Sequence, residues 1–387
     1  MEGDVTEIRR ILIAADKFKG SLTAVEVAQH VTTGLRRAVP GVGVEALPVA
    51  DGGDGTVDAA VAAGFERREL EVTGPLGEPV TAAFALRGTT AVVEMAEASG
   101  LRLLPDGVFA ALTATTHGSG ELIGAALDAG ARTIVFGVGG SATTDGGAGM
   151  LSALGARFLD AEGAPVAAGG GPLRTLASAD LSGLDPRLAE TEIVLAGDVD
   201  NPLLGPKGAP AVYGPQKGAC EQDVAELDAA LTHYVDVLAR TLGPAAAEAA
   251  EIPGAGGAGG LGYGALVGLG ASFRPGIEVL LEVLGFADAL ERADLVITGE
   301  GSLDAQTLHG KAPVGVARAA RAKGVEVIAV CGRLALGPGE LGAVGIRRAY
   351  ALSRLEPDPA VSMAQAGPLL ERVGESIAHD FLPPGRR

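Results

Sequence analysis

Short runs of apolar residues alternate along this chain with polar loops, and a helical pattern follows several of the loops. Each run has the length of a buried strand and ends in a loop of Gly, Asp, Ser and Thr. Strands that alternate with helices predict parallel sheets covered on both faces, and hence an α/β fold. The predicted strands include residues 11–16, 44–51, 134–138, 193–198 and 295–300.

The first predicted helix follows the loop after residues 11–16. Thr23 and Glu26 have the spacing of a capping box, in which each side chain accepts a hydrogen bond from the backbone N–H of the other residue. In open α/β sheets, ligands bind beyond the carboxyl ends of the strands, where the polar loops of this chain fall. The apolar face of the helix is formed by Val25, Ala28, Val31 and Leu35.

The chain has 387 residues, which is enough for two domains. Its first two strand–helix units resemble its last stretch, whereas the segment between them has its own glycine-rich loops and a helical stretch at 221–242. We therefore predict a discontinuous domain, residues 1–66 plus 290–387, and an inserted α/β domain, residues 67–289. A single division near the middle of the chain is the alternative.

Charge and cysteine content narrow the class of protein. The formal net charge of −18 argues against binding to nucleic acid or to an anionic membrane. Residues 253–273 carry no charge, but nine of them are glycine, so they predict a glycine-rich loop leading into a helix rather than a membrane span. Cys220 and Cys331 do not make a disulfide framework, and residues 1–7 lack the apolar core of a signal peptide. We expect a cytoplasmic protein.

The common signatures of kinases and nucleotide-binding proteins are absent from the sequence. It contains neither a Gly-x-x-x-x-Gly-Lys-Ser/Thr phosphate loop nor a His-Arg-Asp catalytic loop. Residues 254–259 match Gly-x-Gly-x-x-Gly, but they follow a predicted helix rather than a strand. This context favours a packing loop over a dinucleotide site.

Lysine is scarce and unevenly placed. Only six of the 30 basic residues are lysine, and five of those six lie in glycine-rich loops. A lysine ammonium is a compact point charge suited to phosphate or carboxylate, and arginine does not always replace it. Solvated loop charge is the alternative for each one, but the joint pattern favours a functional role for Lys17 and Lys19. The loop lysines are Lys17, Lys19, Lys207, Lys217 and Lys311.

Carboxylates also accumulate at the ends of the predicted strands. Such groups can hold Mg²⁺ beside substrate phosphates or accept a proton from a hydroxyl group. Helix capping or an Asx-turn is the alternative, equally well supported for Asp51, Asp54 and Asp145. Asp198 and Glu300 end strands directly, which capping explains less well. The full set is Asp16, Asp51, Asp54, Asp145, Asp198, Asp200, Glu300 and Asp304.

The loop at residues 139–147 offers hydroxyl groups and glycine amides ahead of a helical stretch. The hydroxyl groups belong to Ser141, Thr143 and Thr144. Backbone N–H groups at the start of a helix bind anions, and hydroxyl groups add further donors. The loop is therefore a candidate phosphate-binding element.

Taken in order, these motifs resemble the bacterial glycerate kinase family of the first type. The matching segments extend over nearly the whole chain, to about residue 332. The resemblance implies ATP, Mg²⁺ and D-glycerate, with phosphoglycerate as the product. It also implies a flavodoxin-like domain that carries an inserted α/β domain. The segments are residues 15–22, 50–56, 138–147, 198–204, 214–219 and 298–307.

The candidate residues receive the following predicted roles. Asp198, Lys17 and Lys19 are predicted to be catalytic, with Asp198 orienting or deprotonating the acceptor hydroxyl. Glu300 and Asp304 are predicted to hold Mg²⁺. The active site is expected in the cleft between the two domains. Substrate and phosphate contacts are predicted for Asp16, Ser21, Asp51, Asp54, Ser141, Thr143, Thr144, Lys217 and Lys311.

The resemblance favours transfer to the 2-hydroxyl of glycerate, giving 2-phosphoglycerate, over transfer to the 3-hydroxyl. Two other functions stay open, namely a kinase of another small hydroxy acid and a non-catalytic α/β ligand-binding protein. The expected partners are D-glycerate and ATP, with no nucleic acid and no membrane. Homo-oligomerisation is left open.

Overall fold

The structure is a computed structural model that describes residues 10–382. The expectation that no signal peptide is present concerns residues 1–7, which lie outside the described residues. The chain divides into two compact units. The first unit contains the residues up to Asp51, Asp58–Ala63 and the residues from Ile277 onward, and the second contains Gly52–Val57 and Gly64–Gly276.

The strands are numbered in chain order. They are β1 (Arg10–Ala15), β2 (Gly43–Ala46), β3 (Glu66–Thr73), β4 (Pro79–Arg87), β5 (Thr90–Glu94), β6 (Thr133–Gly137), β7 (Arg157–Leu159), β8 (Ser178–Asp180), β9 (Glu192–Gly197), β10 (Ser272–Pro275), β11 (Leu295–Leu303), β12 (Glu326–Leu334) and β13 (Arg348–Ala351).

The helices are α1 (Ala24–Ala38), α2 (Thr56–Ala62), α3 (Ala96–Ser99), α4 (His117–Asp128), α5 (Ala148–Ala153), α6 (Ala209–Tyr213), α7 (Glu221–Leu242), α8 (Ala245–Glu248), α9 (Gly257–Leu269), α10 (Gly276–Leu284), α11 (Phe286–Leu290), α12 (Ala312–Ala322), α13 (Pro338–Ala343), α14 (Pro359–Ala364) and α15 (Ala366–Phe381). Short 3₁₀ turns lie at Leu101–Leu103, Gly171–Thr175, Pro186–Glu190, Pro215–Lys217, Ala249–Glu251, Thr307–His309 and Leu352–Arg354.

The first unit contains a five-stranded parallel sheet in the order β13-β12-β11-β1-β2. Numbered within this unit and taken from the β2 edge, the strands follow the order 2-1-3-4-5 of flavodoxin-like sheets. β1 and the first half of β11 are buried, as parallel strands covered on both faces must be. The predicted α/β fold with a flavodoxin-like parallel sheet is confirmed. The strand order reverses between β1 and β11.

The predicted strand at 44–51 is regular only in its first part. β2 spans Gly43–Ala46, and the chain then continues beside β1 through two backbone hydrogen bonds. Leu47 N–H donates to Ile13 O (N···O 2.9 Å), and Val49 N–H donates to Ala15 O (3.1 Å). This path leads the chain to Asp51 near the carboxyl end of β1.

The capping box predicted at the start of α1 is confirmed. Glu26 N–H donates to Thr23 Oγ1 (3.2 Å), and Thr23 N–H donates to Glu26 Oε2 (2.8 Å). Ala28, Val31 and Leu35 of the predicted apolar face are buried in the core of the first unit, against residues of α15 and the sheet. The helix therefore forms where its local signals place it, and its apolar face packs it against the sheet.

The second unit contains a six-stranded mixed sheet in the order β10-β9-β6-β5-β4-β3. The predicted strands at 134–138 and 193–198 are confirmed as β6 and β9, and β5, β6, β9 and β10 are parallel. β3 and β4 pair antiparallel because a short turn joins them, whereas parallel neighbours need a longer crossover. β3 is an edge strand rich in Glu and Arg, which suits an exposed edge.

The uncharged stretch at 253–273 is a glycine-rich loop that leads into α9, as predicted. The loop follows a 3₁₀ turn rather than a strand, which fits the preference for packing over dinucleotide binding. None of the helices within residues 10–382 is long and apolar enough to cross a membrane. The helical stretch predicted at 221–242 is α7, and both cysteines are free.

Candidate functional site

In the first unit, Asp16 lies directly beyond β1, where the strand order reverses. Its backbone N–H donates to Gly299 O on β11 (2.8 Å), which holds the residue beside the neighbouring strand. The residue as a whole is 8% exposed, and its Oδ1 accepts a hydrogen bond from Lys17 N–H (2.6 Å). Lys17 Nζ lies 3.9 Å from the same oxygen. A flavodoxin-like sheet binds its ligand at this switch point.

A tight turn holds the two predicted catalytic lysines on either side of one buried side chain. Phe18 is buried, and its backbone pairs with Leu22 through two hydrogen bonds of 2.8 and 3.0 Å. Ser21 Oγ donates to Phe18 O (3.1 Å), which closes the turn. Lys17 is half-buried beside Asp16, whereas Lys19 is exposed. The turn therefore presents one shielded and one solvated cation next to the capped start of α1.

Glu300 was predicted to end its strand, but β11 continues to Leu303, so Glu300 lies three residues before the end and Asp304 directly follows it. Both carboxylates share a network with Thr307. Thr307 Oγ1 donates to Glu300 Oε1 (2.6 Å), and Asp304 N–H donates to Thr307 Oγ1 (3.0 Å). The Asp304 carboxylate accepts from Gln306 N–H (2.9 Å) and from Ser302 Oγ (3.1 Å). Lys311 is the N-cap residue directly before α12, and its ammonium reaches Gln306 Oε1 at 3.4 Å.

Negative charge accumulates around these strand ends. Burial raises the pKa of Asp16 to about 7; the nearby ammonium of Lys17 opposes this shift, and the carboxylates of Asp51 and Glu300 add to it. Burial also raises the pKa of Glu300, and the charge of Asp51 adds to this effect while Thr307 and Lys311 oppose it. Several carboxylates therefore repel one another at this edge of the sheet, a situation that a bound cation would relieve.

The chemistry of these donors fits Mg²⁺. Within residues 10–382 no three His, Cys, Asp or Glu side chains form a ready-made metal cluster. Magnesium does not require one, because it is usually held by one or two carboxylates together with substrate phosphates and water. The carboxylates of Asp16, Asp51, Glu300 and Asp304 supply hard oxygen atoms of the required kind.

In the second unit, the loop Gly52–Val57 lies against the carboxyl ends of β6 and β9. Gly139 N–H donates to Gly52 O (3.1 Å), and a Cβ on Gly52 would lie 2.2 Å from Ala196 O. A Cβ on Gly140 would lie 2.4 Å from Asp54 Oδ1. A Cβ at Gly52 would clash with the backbone, so glycine is required there. At Gly140 a φ of 72° favours glycine, and the missing Cβ lets the Asp54 carboxylate approach the backbone of the hydroxyl loop, residues 139–147.

Glu94 is a further candidate that the sequence analysis missed. It ends β5, is 1% exposed, and accepts hydrogen bonds from Gly55 N–H (3.1 Å) and Val57 N–H (3.2 Å). Burial raises its pKa to about 7, which these amide donors oppose. The signal was present, because Glu94 directly ends an apolar run, as Asp198 and Glu300 do.

The hydroxyl loop is anchored by Asp145. The carboxylate is completely buried and accepts from Thr116 N–H and Oγ1 (both 2.8 Å), Gly147 N–H (3.1 Å) and Gly149 N–H (3.2 Å). Burial raises the pKa of Asp145, and these donors oppose the shift. Ser141, Thr143 and Thr144 are buried as well, and the Oγ1 atoms of both threonines have no partner among residues 10–382.

Lys217 is 1% exposed, which is unusual for a residue predicted to contact phosphate. Its Nζ donates to Thr143 O (2.5 Å) from the 3₁₀ turn Pro215–Lys217. Burial lowers the pKa of Lys217 to about 7, and the charge of Asp145 opposes this shift. The ammonium therefore contacts the hydroxyl loop from within the second unit.

Asp198 directly follows β9 and is exposed. Its Oδ1 accepts from Gly276 N–H (2.9 Å), the first residue of α10. Asp198 therefore caps a helix, although capping was the less favoured prediction for it. Capping uses Oδ1, so Oδ2 can still accept a proton.

The structure places the predicted residues in two groups. Those of the first unit gather around the ends of β1 and β11: Asp16, Lys17, Lys19, Ser21, Asp51, Glu300, Asp304 and Lys311. Those of the second unit belong to the loops at the ends of β6 and β9 and to loops packed on them: Asp54, Ser141, Thr143, Thr144, Asp198 and Lys217.

Parallel strands that end in glycine amides, carboxylates and lysines are typical of α/β proteins that bind small anionic ligands. The model of the glycerate kinase family matches residues 11–382, and the chain belongs to that family. The predicted family and the prediction of a kinase are thereby confirmed.

Similar proteins extend over most of the chain. A glycerate kinase of Bacillus subtilis (strain 168) is 47% identical over 372 residues, covering 95% of this chain and 97% of that protein. A glycerate 2-kinase of Escherichia coli (strain K12) is 48% identical over 329 residues, covering 84% and 85%. A crystal structure assigned as glycerate kinase 2 from Salmonella typhimurium LT2 superposes with a TM-score of 0.82 at 43% identity, covering 96% of this chain and 98% of that one.

Proposed function

We propose that this chain transfers a phosphoryl group from ATP to D-glycerate and so forms phosphoglycerate. The observation that carries the proposal is the family match over residues 11–382, together with relatives that are named glycerate kinases. The strand-end loops support it, because they offer cations for an anionic acceptor and carboxylates for a metal ion. A non-catalytic binding protein would not need both the cations for the acceptor and the carboxylates for a metal ion.

In the first unit, the proposed roles follow from charge. Lys17 and Lys19 would stabilise the glycerate carboxylate and the transferred phosphoryl group. Glu300 and Asp304 would hold Mg²⁺, which neutralises charge on the polyphosphate when it is bound. Further contacts to substrate are proposed for Asp16, Ser21, Asp51 and Lys311.

In the second unit, Asp198 is proposed to orient or deprotonate the acceptor hydroxyl. The backbone amides and hydroxyl groups of the loop at 139–147 are proposed to bind phosphate oxygens, with Asp54 beside them. Lys217 differs from these residues because its ammonium is buried and donates to the backbone carbonyl of Thr143.

A coupled assay of ADP release tests the proposed reaction. Purified protein should release ADP only when ATP, Mg²⁺ and D-glycerate are all present. Equal release without glycerate, or full activity in excess chelator, contradicts the proposal. Replacing D-glycerate by other small hydroxy acids in the same assay decides between glycerate and the alternative acceptors.

Asp198→Asn tests the acid–base role separately from the capping role. Asparagine keeps an oxygen that can accept from Gly276 N–H, so the fold and ATP affinity should hardly change. We expect kcat to fall by at least about a hundredfold, because general base catalysis is worth that much or more. Asp200→Asn, in the same exposed loop, is the matched control. A near-normal kcat in Asp198→Asn would contradict the proposed acid–base role of Asp198.

The regiochemistry is proposed to be 2-phosphorylation. It is supported by the Escherichia coli relative, which is named a glycerate 2-kinase and is 48% identical. Phosphorus NMR of the product distinguishes the 2-phospho from the 3-phospho isomer. A predominant 3-phospho signal contradicts this part of the proposal.

We also propose that residues 1–66 plus 290–387 form one domain and residues 67–289 the other, in a protein of the cytoplasm. The assignment of residues from both halves of the chain to one compact unit supports a discontinuous division, although the other unit contains Gly52–Val57 and Gly64–Gly276 rather than residues 67–289. Expression of residues 67–289 alone should give a cooperatively melting protein. A non-cooperative melt of that segment contradicts the division.

A further inference from the structure

Two oppositely charged side chains are buried in the interior of the second unit and attach to the same loop. Asp145 is completely buried and Lys217 is 1% exposed. Burial lowers the pKa of Lys217, and the Asp145 carboxylate opposes this shift because it favours the ammonium form. Buried charged groups are costly unless hydrogen bonds satisfy them, as Thr143 O does for Lys217 and the Thr116, Gly147 and Gly149 donors do for Asp145. Two apolar side chains would avoid this cost, so the buried carboxylate and ammonium indicate a function that apolar side chains could not perform.

The two charges hold different parts of the hydroxyl loop. Asp145 belongs to the loop and binds it to Thr116 and to the first amides of α5. Lys217 comes from a different part of the chain and donates to Thr143 O, two residues before Asp145. The loop is thus attached on one side to α5 and on the other to the 3₁₀ turn that carries Lys217.

Backbone hydrogen bonds hold the first part of the loop, since Ala142 N–H donates to Ser99 O (2.9 Å) and Leu101 N–H donates to Gly140 O (2.9 Å). The Oγ1 atoms of Thr143 and Thr144 have no partner among residues 10–382, so these side chains do not brace the backbone. Gly259 packs against the same carbonyl, because a Cβ there would lie 1.9 Å from Thr143 O. Gly146 N–H donates to Gly259 O (3.1 Å). The direction of the Thr143 carbonyl is therefore set by Lys217 on one side and by a glycine on the other.

We propose that Lys217 and Asp145 are positioning residues that set the conformation of the phosphate-binding loop, and that Lys217 acts through the Thr143 carbonyl rather than by touching phosphate. This inference rests on the proposed function of the loop. The partner of Lys217 is then the Thr143 carbonyl of the protein itself. This role also explains why a lysine, with its single flexible ammonium, occupies a site closed to solvent.

The experiment compares Lys217→Met, Asp145→Asn and the double variant in steady-state kinetics and thermal melts. Lys217→Met removes the donor to Thr143 O, and Asp145→Asn removes the carboxylate that accepts from Thr116, Gly147 and Gly149, so both should melt at lower temperature than the wild type. The double variant removes both charges, so its loss of stability should be smaller than the sum of the two single losses. We expect kcat to stay at least about tenfold below the wild type in Lys217→Met and in the double variant, with KM for ATP changed by less than about threefold.

Lys207→Met is the matched control, since Lys207 is an exposed lysine in another glycine-rich loop. It should leave melting temperature, kcat and KM unchanged. Lys217→Arg is the second variant. It keeps the positive charge, but its larger guanidinium must fit a site closed to solvent and misplaces the Thr143 carbonyl, so kcat should remain low.

Three results overturn the proposal. One is recovery of kcat together with stability in the double variant, which would make Lys217 a matter of stability alone. Another is a rise in KM for ATP at unchanged kcat, which would make Lys217 a direct phosphate ligand. The third is unchanged hydrogen exchange at residues 139–147 in Lys217→Met, where we expect faster exchange than in Lys207→Met. The exchange measurement needs no turnover, so it tests the inference even if the wild type proves inactive on glycerate.

Discussion

Carboxylates at the ends of parallel strands have different partners in this protein, and the partner determines what each carboxylate can do. Asp16 is paired with Lys17, Glu300 accepts from Thr307, Asp198 caps α10 and Glu94 holds two loop amides. The buried Glu94 carboxylate binds the amides of Gly55 and Val57 and so serves structure first. Carboxylates that face other carboxylates, as Asp16 and Glu300 do, are the better candidates for a metal ion.

Lys17→Arg and Lys19→Arg test the catalytic lysines at this scale. If the ammonium groups contact substrate, the longer planar guanidinium misplaces the charge, and even a 1 Å displacement can cost about a hundredfold in rate. We expect kcat/KM to fall at least roughly tenfold, about 1.4 kcal/mol, with little change in melting temperature.

Lys323→Arg is the control for these variants. Lys323 is exposed, lies outside the glycine-rich loops and is 3.5 Å from Glu291. It should show wild-type kinetics, because arginine is the ordinary surface cation of this chain. Full activity in both Lys17→Arg and Lys19→Arg would indicate that the two lysines are solvated loop charges without a catalytic role.

Glu94→Gln tests the buried carboxyl group through the pH dependence of stability. The pKa of Glu94 is raised from 4.5 to about 7 in the folded protein. A raised pKa means that the contribution to stability is fully present below the unfolded-state pKa and is lost as pH rises towards and through 7. Between pH 4.5 and 7.5 the wild type should therefore lose on the order of 3 kcal/mol relative to Glu94→Gln. A stability difference that does not vary with pH contradicts this assignment.

At the scale of elements, glycine lets the loops after the strands pack directly on one another. The chain runs through Ala258, Gly259 and Gly260 with φ of 53, 70 and 88°. Such a left-handed segment is unfavourable for residues with a Cβ. This left-handed segment packs the start of α9 against the hydroxyl loop, and larger side chains at its glycine positions would prevent the contact.

Gly259→Ala and Gly270→Ala separate backbone conformation from close packing. Both positions have positive φ, 70 and 62°, but a Cβ meets Thr143 O at 1.9 Å only at Gly259, whereas nothing lies within 4 Å at Gly270. Gly270→Ala should cost about 1 kcal/mol of unfolding free energy. Gly259→Ala should cost about 2 kcal/mol more, because the loop must move. Chemical denaturation measures both, and equal losses would show that packing at Gly259 is unimportant.

At the scale of the whole molecule, the chain carries a net charge of −18 on two units that each have their own core. Excess charge of one sign destabilises a compact state through self-repulsion. The positive groups near the proposed substrates are therefore local exceptions on an acidic protein.

Raising NaCl from about 0.01 M to 0.1 M should stabilise the protein, since the Debye length falls from about 30 Å to about 10 Å. We expect the melting temperature to rise by about 2 °C or more, which is roughly 1 kcal/mol. Sucrose at equal osmolality is the control for effects other than charge screening. A fall in melting temperature would mean that surface ion pairs outweigh the net repulsion.

Features that depend on near neighbours in the chain were predictable. The apolar runs at 11–16 and 295–300 became β1 and β11, and Thr23 and Glu26 formed their capping box. The helix at 221–242 was likewise confirmed. Strand patterns, caps and helical periodicity follow from sterics and hydrogen bonds within a few residues, so the sequence itself carries them.

The site depended on contacts between distant parts of the chain. Register pairs Ala15 with Gly299, Glu94 binds amides of Gly55 and Val57, and Lys217 reaches Thr143. No local pattern gives these partners, because burial and packing choose them among many alternatives. The sequence by itself determined the α/β class, the main strands and which loops carry charge. Only the tertiary structure decided that Glu94 and Lys217 are buried, since solvent exclusion is a property of the assembled core.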